Sequence, residues 1–432
     1  MKKQFIFILY SLFLCVGTIA ATNYNVLQQG AVGDGKTLNT KSLQSAIDAL
    51  HAKGGGQLYF PAGRYLTGSL QLKSNVTLYL EKEAVLLGST SPYDYPGFST
   101  EKELKVNNDH FDQALIYAEG AENIGITGEG CIDGQGRELA LTIDSLHHTG
   151  ELVDKHYNTY RKRPNTRPKL LFMRNCRKVE LRKTNFRSGA AWGLSFSLCV
   201  DLTIDSLHVE NRAYWNNDGI DISDCKDVRI SNCFINSADD GICLKSHNRG
   251  AWNDRVSISN CHIISSASAI KFGTESLGGF KNVTIDNIRI KDTFRSAIAI
   301  ESVDGAEIEN VKLENIEIVC PGRATRGMAY MSVSRLKDVP ENEKGYPEFT
   351  MFEELPSWGF YVRHVKGIQM HNVKLRLQED DFRPAFVFDR VSDVRLSDIS
   401  LPENKKAGQV VLRQTSLQSA DNAVKEYVRE VE

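Results

Sequence analysis

The chain has 432 residues, of which 41% are hydrophobic and 25% are charged, and its formal net charge is −2. That hydrophobic content excludes intrinsic disorder, and the lack of a basic excess gives no reason to expect a nucleic-acid partner. At roughly 150 residues per domain the length allows two or three domains. Repeat architectures grow in one dimension and do not follow this rule, so the domain count stays open at this point.

Residues 1–20 have the pattern of a signal peptide. Two lysines precede an apolar run from Phe5 to Val16, and the small residue Ala20 offers a cleavage site. The apolar run is too short to cross a bilayer and no other stretch approaches the required length, so we expect no membrane span. The pattern therefore predicts a secreted or periplasmic protein that is cleaved near Ala20.

Residues 21–120 are predicted to hold an N-terminal cap and the first coils of a longer structure. Asn39 or Thr40 can begin a helix that runs to about Leu50 and ends at the glycines of 54–56. The apolar face of this helix consists of Leu43, Ala46, Ile47 and Leu50. Strand-like segments follow it.

A short apolar sequence motif recurs through residues 121–405. Each copy has two apolar residues separated by one polar residue, and successive copies between Val179 and Val311 begin 23 to 28 residues apart. The copies begin at Val179, Leu202, Val228, Val256, Val283, Val311, Ile368 and Val394. Alternation with period two is typical of strands, and a repeat of 20–30 residues built from short strands indicates a solenoid.

A second set of phrases aligns the repeats with one another. Gly193, Gly219 and Gly241 each precede an alternating apolar segment, and Ala269 and Ala297 occupy the same place in later copies. Stacked parallel strands lie about 4.8 Å apart, so equivalent residues become neighbours. The sequence predicts an all-β fold, a single-stranded right-handed parallel β-helix with an N-terminal helical cap. A β-propeller would need four strands in a longer repeat and a blade motif, which is absent.

Two segments interrupt the series of repeats, near residues 137–168 and 320–360. Insertions in solenoids become loops on one face, often the binding face. The first insertion carries several histidines and the basic run 161–163. At the other end, residues 406–432 form the C-terminal coil and tail, and a short amphipathic helix over 419–430 could cap the open strand edges.

Eight cysteines remain after the signal peptide: Cys131, Cys176, Cys199, Cys225, Cys233, Cys243, Cys261 and Cys320. Five of them recur in near-identical phrases, which favours buried thiols that fill stacked positions. An oxidising compartment would also permit a disulfide. No cysteine or histidine spacing suggests a zinc site.

Three carboxylates stand out in the aligned repeats. Asp218 and Asp240 occupy the same position on adjacent repeats, and Asp239 adjoins the second. Carboxylates gathered in one patch repel one another, so at least one should have a raised pKa. A protonated acid beside ionised partners is what glycoside hydrolysis requires. Aspartate is also common in turns, which explains one such residue but less readily three.

These motifs resemble glycoside hydrolase family 28, the polygalacturonases and rhamnogalacturonases that cleave pectin. The resemblance covers most of the mature chain and rests on the segments 26–49, 54–70, 130–136, 216–221 and 237–246. It implies a general acid at Asp239, a water held and activated by Asp218 and Asp240, and a substrate-binding Asn217. It also implies hydrolysis with inversion, without a metal or other cofactor.

The sequence departs from the family pattern at two places. Ala267-Ser268-Ala269 stands where polygalacturonases have Gly-His-Gly, and Ala299-Ile300-Glu301 stands where they have Arg-Ile-Lys. A carboxylate at position 301 would repel a galacturonate, and Lys245 is more similar to the rhamnogalacturonase branch. We therefore expect a secreted hydrolase of rhamnogalacturonan or another glycan containing galacturonic acid.

Further residues are candidates for substrate binding. Lys245 and Lys271 should point outward on either side of the carboxylates, and Arg295 and Glu301 follow on later repeats. His247, with Trp252, could form a sugar-stacking platform. The expected partner is a pectic poly- or oligosaccharide, bound by a monomer. A polysaccharide lyase and a non-catalytic glycan-binding β-helix are the alternative functions.

Overall fold

A computed structural model describes residues 22–95, 114–151, 167–324, 333–342, 355–402 and 408–432. The predicted signal peptide, the basic run 161–163 and much of the insertion near 320–360 lie outside the described residues. No helix among the described residues is long and apolar enough to cross a membrane.

Most of the described chain is extended. The strands are β1 (Thr22–Asn25), β2 (Gly56–Phe60), β3 (Gly63–Thr67), β4 (Leu70–Gln71), β5 (Val76–Leu80), β6 (Ala84–Gly88), β7 (Ala114–Glu119), β8 (Glu122–Thr127), β9 (Cys131–Asp133), β10 (Lys169–Arg174), β11 (Arg177–Arg182), β12 (Asn185–Arg187), β13 (Leu194–Ser197), β14 (Val200–Asp205), β15 (His208–Asn211), β16 (Ile220–Ser223), β17 (Lys226–Ser231), β18 (Phe234–Ser237), β19 (Ile242–Ser246), β20 (Asn253–Ser265), β21 (Ile270–Ser276), β22 (Phe280–Lys291), β23 (Ile298–Glu301), β24 (Ile308–Cys320), β25 (Phe360–Arg363), β26 (Val365–Leu377), β27 (Phe386–Asp389), β28 (Ser392–Ser400), β29 (Val410–Arg413), β30 (Leu417–Ala420) and β31 (Val428–Val431). The α-helices are α1 (Thr40–Ala52), α2 (Gly136–Thr149) and α3 (Asn422–Lys425).

The strands stack as the coils of a right-handed parallel β-helix, as the sequence predicts. Sheet I runs in the order β4, β7, β10, β13, β16, β19, β21, β23, β25, β27, β29 and β31, with parallel pairing between neighbours. Sheet II contains the remaining strands. In it β11 pairs with β14, β14 with β17, and so on to β30, while a second series runs from β3 to β18 and merges into β20.

Both apolar ladders lie in register, which confirms the predicted alignment. In sheet II, Val179 pairs with Leu202, and Leu202 with Val228. In sheet I, Ile220 pairs with Ile242, and Ile242 with Ile270. All these side chains point into one continuous buried core, while the residues between them point outward.

The polar pair between the apolar residues of each repeat forms a corner. Asn232, Asn260 and Asn287 adopt the left-handed conformation, with φ of 56°, 54° and 51°. Asparagine tolerates this conformation better than other residues with a side chain. The Asn287 side-chain amide donates to Asn260 Oδ1 at 2.8 Å, so the corners also hydrogen-bond from coil to coil.

The eight cysteines among the described residues are all thiols and are buried, except for half-buried Cys131, as the repeated motifs predict. Cys176, Cys199 and Cys225 stack in one column, and the Cys199 N–H donates to Cys225 Sγ at 3.3 Å. Burial and the neighbouring thiol raise the pKa of Cys199 well above its usual value. These side chains therefore serve as small apolar fillers of the core.

The N-terminal cap contains the expected helix. Leu43, Ala46, Ile47 and Leu50 of α1 are all buried against the first coils. The chain leaves the helix through Gly55, whose φ is +118°. A Cβ atom added to this residue would lie 2.3 Å from the Asn75 carbonyl oxygen. Only glycine fits there without displacing the backbone.

Two local expectations require correction. The insertion near 137–168 begins with a helix rather than a loop: α2 buries Leu139, Ala140 and Ile143 on one face. At the C-terminus, the predicted helix over 419–430 is reduced to the four residues of α3. The chain then forms β31, which pairs with β29 and extends sheet I. Backbone pairing with an open sheet edge outweighs the amphipathic pattern there.

Candidate active site

The outer face of sheet I carries the three predicted carboxylates. Asp218 and Asp240 precede β16 and β19, and the Gly219 N–H donates to the Asp240 carbonyl oxygen at 2.9 Å. Both residues are at most 5% exposed. A Cβ at Gly219 would lie 2.4 Å from the Gly241 carbonyl oxygen, so glycine is needed where the coils approach each other.

Asp239 lies in the turn beside Asp240, and hydrogen bonds to its backbone hold it in place. The hydroxyls of Ser237 and Ser265 donate to the Asp239 carbonyl oxygen at 2.8 and 2.6 Å. Its carboxylate Oδ1 accepts the Asp240 N–H at 3.0 Å. The fixed backbone sets where the Asp239 carboxyl can reach.

A fourth carboxylate, Asp221, joins the site and was not among the sequence candidates. It points outward from β16 and is 1% exposed. Lys245 Nζ lies 2.8 Å from Asp221 Oδ1 and 3.3 Å from Asp218 Oδ2, and it also lies 3.4 Å from the centre of the Trp192 ring. Lys245 thus joins two carboxylates on one side of the site. Ile220 and Ile222 point into the core, so alternation along β16 would have placed Asp221, which lies between them, on this outer face.

Lys271 forms a similar ion pair with Asp240. Its Nζ lies 3.5 Å from Asp240 Oδ2, and the Ser268 N–H donates to Asp240 Oδ1 at 3.1 Å. Arg295, half-buried in the turn before β23, adds positive charge near Asp239 and Asp240. Asp240 is therefore surrounded by groups that favour its ionised form.

The carboxylates differ in their pKa. Burial and the charges of Asp221, Asp239 and Asp240 raise the pKa of Asp218 well above its usual value, although Lys245 opposes this. Burial and the Asp240 charge also raise the pKa of Asp239. Burial would raise the pKa of Asp240 too, but Lys271, Arg295 and the Ser268 N–H outweigh it, so that pKa is lowered. The site can hold a protonated acid next to an ionised base.

Cys243 is a second residue that the sequence did not single out for the site. It occupies the outward position of β19, paired with Asp221 and Lys271 on the neighbouring strands. One atom each of Asp218, Asp240 and Cys243 lie within 4.8 Å of one another. The Cys243 thiol donates to the Gly273 carbonyl oxygen at 3.0 Å, and burial raises its pKa. This Cys243 is therefore a protonated thiol, which is a poor metal ligand.

Asn217, a predicted substrate ligand, uses its side chain within the protein. It is fully buried, and its amide donates to the carbonyl oxygens of Gly189 and Ala191 at 2.9 and 2.7 Å. Its Oδ1 accepts the Tyr214 N–H. In this arrangement Asn217 shapes the turn that carries Asp218.

His247 and Trp252 do not form a common platform. The His247 side chain is buried and hydrogen-bonds Glu275. The backbone N–H of His247 donates to Asp224 Oδ2 at 3.0 Å. The half-buried Trp252 ring lies under Lys281, whose Nζ is 4.7 Å from the ring centre. Tertiary contacts thus direct these two side chains to different partners.

Glu301 lies on the same face, at the end of β23. It pairs in register with Arg363 of β25, and it is 2% exposed. Neither of its carboxylate oxygens accepts a hydrogen bond from a residue that the structure describes. Burial raises the pKa of Glu301 to about 7, although Lys271 opposes the shift. A buried carboxyl without a hydrogen-bond partner is unusual and costly when ionised.

The model of the glycosyl hydrolases family 28 matches residues 56–320, more than half of the chain. The chain belongs to this family. A second model, "Rhamnogalacturonase A/epimerase, pectate lyase-like", matches residues 23–81, the region of the N-terminal cap.

Individual family 28 relatives match parts of the chain. A probable polygalacturonase of Vitis vinifera is 30% identical over 308 residues, which are 67% of this chain and 57% of that protein. An exo-poly-alpha-D-galacturonosidase of Dickeya chrysanthemi is 28% identical over 248 residues, 50% of this chain and 41% of that protein. The chain thus spans about half the length of these curated relatives.

The solved structure of the family 28 exopolygalacturonase from Yersinia enterocolitica superposes with a TM-score of 0.64 at 22% identity. The superposition covers 95% of this chain and 77% of that one. At this identity the likeness shows a shared β-helix fold.

Proposed function

We propose that this chain is a glycoside hydrolase that cleaves glycosidic bonds in a pectic polysaccharide by single displacement with inversion. The observation that carries the proposal is the cluster of Asp218, Asp239 and Asp240 on one face of sheet I, with Lys245 in contact with Asp218 and Lys271 in contact with Asp240. Asp239 has a raised pKa and Asp240 a lowered one, on a face where Asp218 completes the cluster. Family membership and the polygalacturonase relatives support the choice of substrate class.

The proposed reaction assigns one role to each carboxyl. Asp239, protonated, gives its proton to the glycosidic oxygen as the bond from the anomeric carbon to that oxygen breaks. A water molecule attacks the anomeric carbon from the opposite face, and Asp240 accepts the proton that the water releases. Asp218 holds the same water by a hydrogen bond. In inverting enzymes, acid and base lie about 6.5–9.5 Å apart to leave room for this water.

The finer proposal concerns the sugar beside the cleaved bond. A galacturonate carboxylate placed against Glu301 would meet a buried carboxyl. A neutral sugar could instead donate hydroxyl hydrogen bonds to the two Glu301 oxygens, which accept none from the described part of the chain. Lys271 lies nearer the catalytic carboxylates and remains the cation for a uronate at the adjacent position. This division favours rhamnogalacturonan, or another glycan in which neutral sugars accompany galacturonic acid.

A substrate panel tests the proposal. The purified protein is incubated with rhamnogalacturonan, xylogalacturonan and polygalacturonate, and new reducing ends and product sizes are measured. We expect faster cleavage of a substrate containing neutral sugars than of polygalacturonate. Release of unsaturated uronides, detected by their ultraviolet absorbance, would instead indicate a lyase, and binding without new reducing ends would indicate a non-catalytic module.

The substrate preference is tested with Glu301→Gln at a pH above 7, where Glu301 is ionised and the substitution keeps the shape of the side chain but removes its charge. We expect the ratio of kcat/KM for polygalacturonate to that for rhamnogalacturonan to rise in this variant. An unchanged ratio would remove Glu301 from the explanation of specificity while leaving the hydrolase proposal intact.

We also propose that the protein is secreted or periplasmic after cleavage near Ala20, on the evidence of the N-terminal pattern of two lysines and an apolar run. Mass spectrometry of the mature protein from its native host gives its N-terminus. A chain that retains residues 1–20 would contradict this proposal.

A further inference from the structure

Trp215 is the most exposed large hydrophobic side chain in the described part of the chain, at 72%. It lies in the turn between β15 and β16, three residues before Asp218. Three residues of extended chain span at most about 11 Å, so the backbone of Trp215 lies close to the carboxylates. Trp192 and Trp358 are buried, by contrast, and Trp252 is half-buried.

A buried arginine holds the backbone beneath this exposed ring. Arg167 is 2% exposed, and its Nη1 donates to the Trp215 carbonyl oxygen at 2.6 Å. Its Nη2 donates to Asn216 Oδ1 at 2.9 Å, and its guanidinium lies 5.0 Å from the centre of the Tyr214 ring. Burying a guanidinium is costly unless its hydrogen bonds are satisfied, and these bonds order the turn.

The residues flanking Trp215 are fixed from the other side as well. The Tyr214 hydroxyl donates to Asp144 Oδ2 of α2 at 2.6 Å. The Tyr214 N–H donates to Asn217 Oδ1, and Asn217 is itself anchored to the Gly189 carbonyl oxygen. The indole is therefore presented to solvent from a backbone ordered before any ligand binds, which lowers the entropy cost of binding.

We propose that Trp215 is a stacking platform for a pyranose ring of the pectic chain, next to the ring whose bond is cleaved. This inference rests on the proposed function and adds a binding site to it. A pyranose offers an apolar C–H face with hydroxyls at its edge. The indole offers an apolar face with a polar N–H at its edge, so the two surfaces match.

Within its own turn Trp215 is the exposed large hydrophobic side chain, and this favours a sugar over a protein partner. Protein docking sites are contiguous apolar patches of several hundred Å². In the turn 212–219 the other described side chains are half-buried or buried, apart from Arg212 and Trp215, and Trp215 is the large hydrophobic one that is exposed. One ring of this size fits one sugar.

Fluorescence quenching in an inactive background tests the platform. Asp239→Asn is used so that the ligand is bound without turnover, and rhamnogalacturonan and galacturonan oligosaccharides are each added in the presence of acrylamide. Because the other tryptophans are buried or half-buried, acrylamide should reach mainly Trp215. We expect saturable protection from quenching as the oligosaccharide binds.

Two substitutions complete the test. Adding Trp215→Ala to the inactive background should weaken oligosaccharide binding about fivefold, whereas Trp215→Phe should retain most of the affinity. In the active enzyme Trp215→Ala should raise KM with little change in kcat. The matched control is Phe234→Ala, an outward-facing aromatic of sheet II that lies 4.7 Å from the His208 ring, for which no change in KM is expected.

The outcomes separate the platform from the proposed hydrolase. If the wild type cleaves the oligosaccharide but Trp215→Ala keeps the same Kd and KM, or ligand gives no protection, the platform is wrong and the hydrolase stands. If ligand protects Trp215 but the wild type releases no new reducing ends, the platform stands and the hydrolase is wrong. A wild type that neither binds nor cleaves the pectic oligosaccharides overturns both.

Discussion

Lys271 Nζ lies 3.5 Å from Asp240 Oδ2, and the two residues belong to adjacent coils of the β-helix. The contact joins a lysine of β21, in the next coil, to the carboxylate in the turn before β19, so the stacking of the coils favours the ionised form of Asp240. On the other side of the cluster, Lys245 contacts Asp218 and Asp221. Each flank of the site therefore has its own buried lysine.

The role of Asp239 as general acid predicts that Asp239→Asn abolishes turnover. An amide cannot supply the proton that the leaving oxygen requires, and general acid catalysis contributes about 10²–10⁴-fold to the rate. Initial rates of reducing-end release measure the effect. Circular dichroism and the Tm should match the wild type, since the side chain is replaced by one of the same shape. A variant with the kcat of the wild type would exclude this assignment.

Single displacement predicts that the first product has the anomeric configuration opposite to that of the substrate. The attacking water approaches from the face opposite the leaving group, so one displacement inverts the centre. Proton NMR recorded within the first minutes of the reaction, before mutarotation, identifies the anomer. Initial retention of configuration would require a covalent intermediate and would contradict the assignment of Asp240 and Asp218 to a water molecule.

Removal of the Lys271 charge is expected to move the pH dependence of kcat/KM to higher pH. Lys271 lowers the pKa of both Asp240 and Asp239, so Lys271→Met raises both. Activity requires an ionised Asp240, so a higher pKa of Asp240 moves the acidic limb of the pH profile to higher pH. Activity also requires a protonated Asp239, so a higher pKa of Asp239 moves the basic limb in the same direction. A shift of about one pH unit is expected for the loss of a nearby opposite charge.

The matched control for this shift is Lys312→Met, which replaces a half-exposed lysine of sheet II that contacts Glu314. Its pH profile should coincide with that of the wild type. If Lys271→Met also gives the wild-type profile, the ion pair with Asp240 has no part in setting the ionisation of the site.

The buried Glu301 carboxyl predicts a pH-dependent stability. Its pKa is about 7 in the folded protein against 4.5 for the unperturbed group. Below pH 4.5 the carboxyl is protonated in both states and makes no difference. Between pH 4.5 and 7 the folded state retains a proton that the unfolded state releases, so the free energy of unfolding falls as pH rises, by up to about 3 kcal/mol.

Glu301→Gln cannot titrate and should lose this dependence. Urea unfolding of the wild type and the variant, measured between pH 5 and 8, gives the difference in their free energies of unfolding. The variant should gain stability relative to the wild type as pH rises. A difference that stays constant over this range would mean that Glu301 ionises as it does in solvent.

Removing the central carboxylate of a buried ion cluster near the C-terminal end of sheet I should strongly lower the stability of the protein. Asp389 is fully buried and accepts hydrogen bonds from Arg363 at 2.7 Å and from Arg413 at 2.8 Å. Asp389→Ala leaves two arginines without this partner and should lower the free energy of unfolding by about 3–5 kcal/mol. Thermal unfolding measures the loss. A change below about 1 kcal/mol would show that water replaces the carboxylate.

Much of the fold and of the site follows from the periodicity of the chain. Alternation of apolar and polar residues assigns each strand residue to the core or to the surface. The repeat length then brings Asp218 and Asp240 to the same place on adjacent coils, so the carboxylate cluster could be found without a structure. The asparagines at the corners and the glycines before the strands follow from the same repeat.

The pattern could not show what covers an outward-facing side chain or which partner it meets. Burial of Glu301, the pairing of Lys245 with Asp221 and the contact of His247 with Glu275 depend on side chains from other coils and on the turns above sheet I. Period-two alternation distinguishes two faces of a strand, whereas desolvation and charge pairing depend on distances between residues more than 20 positions apart. For this reason the order of the carboxyl pKa values emerges only when the coils are stacked.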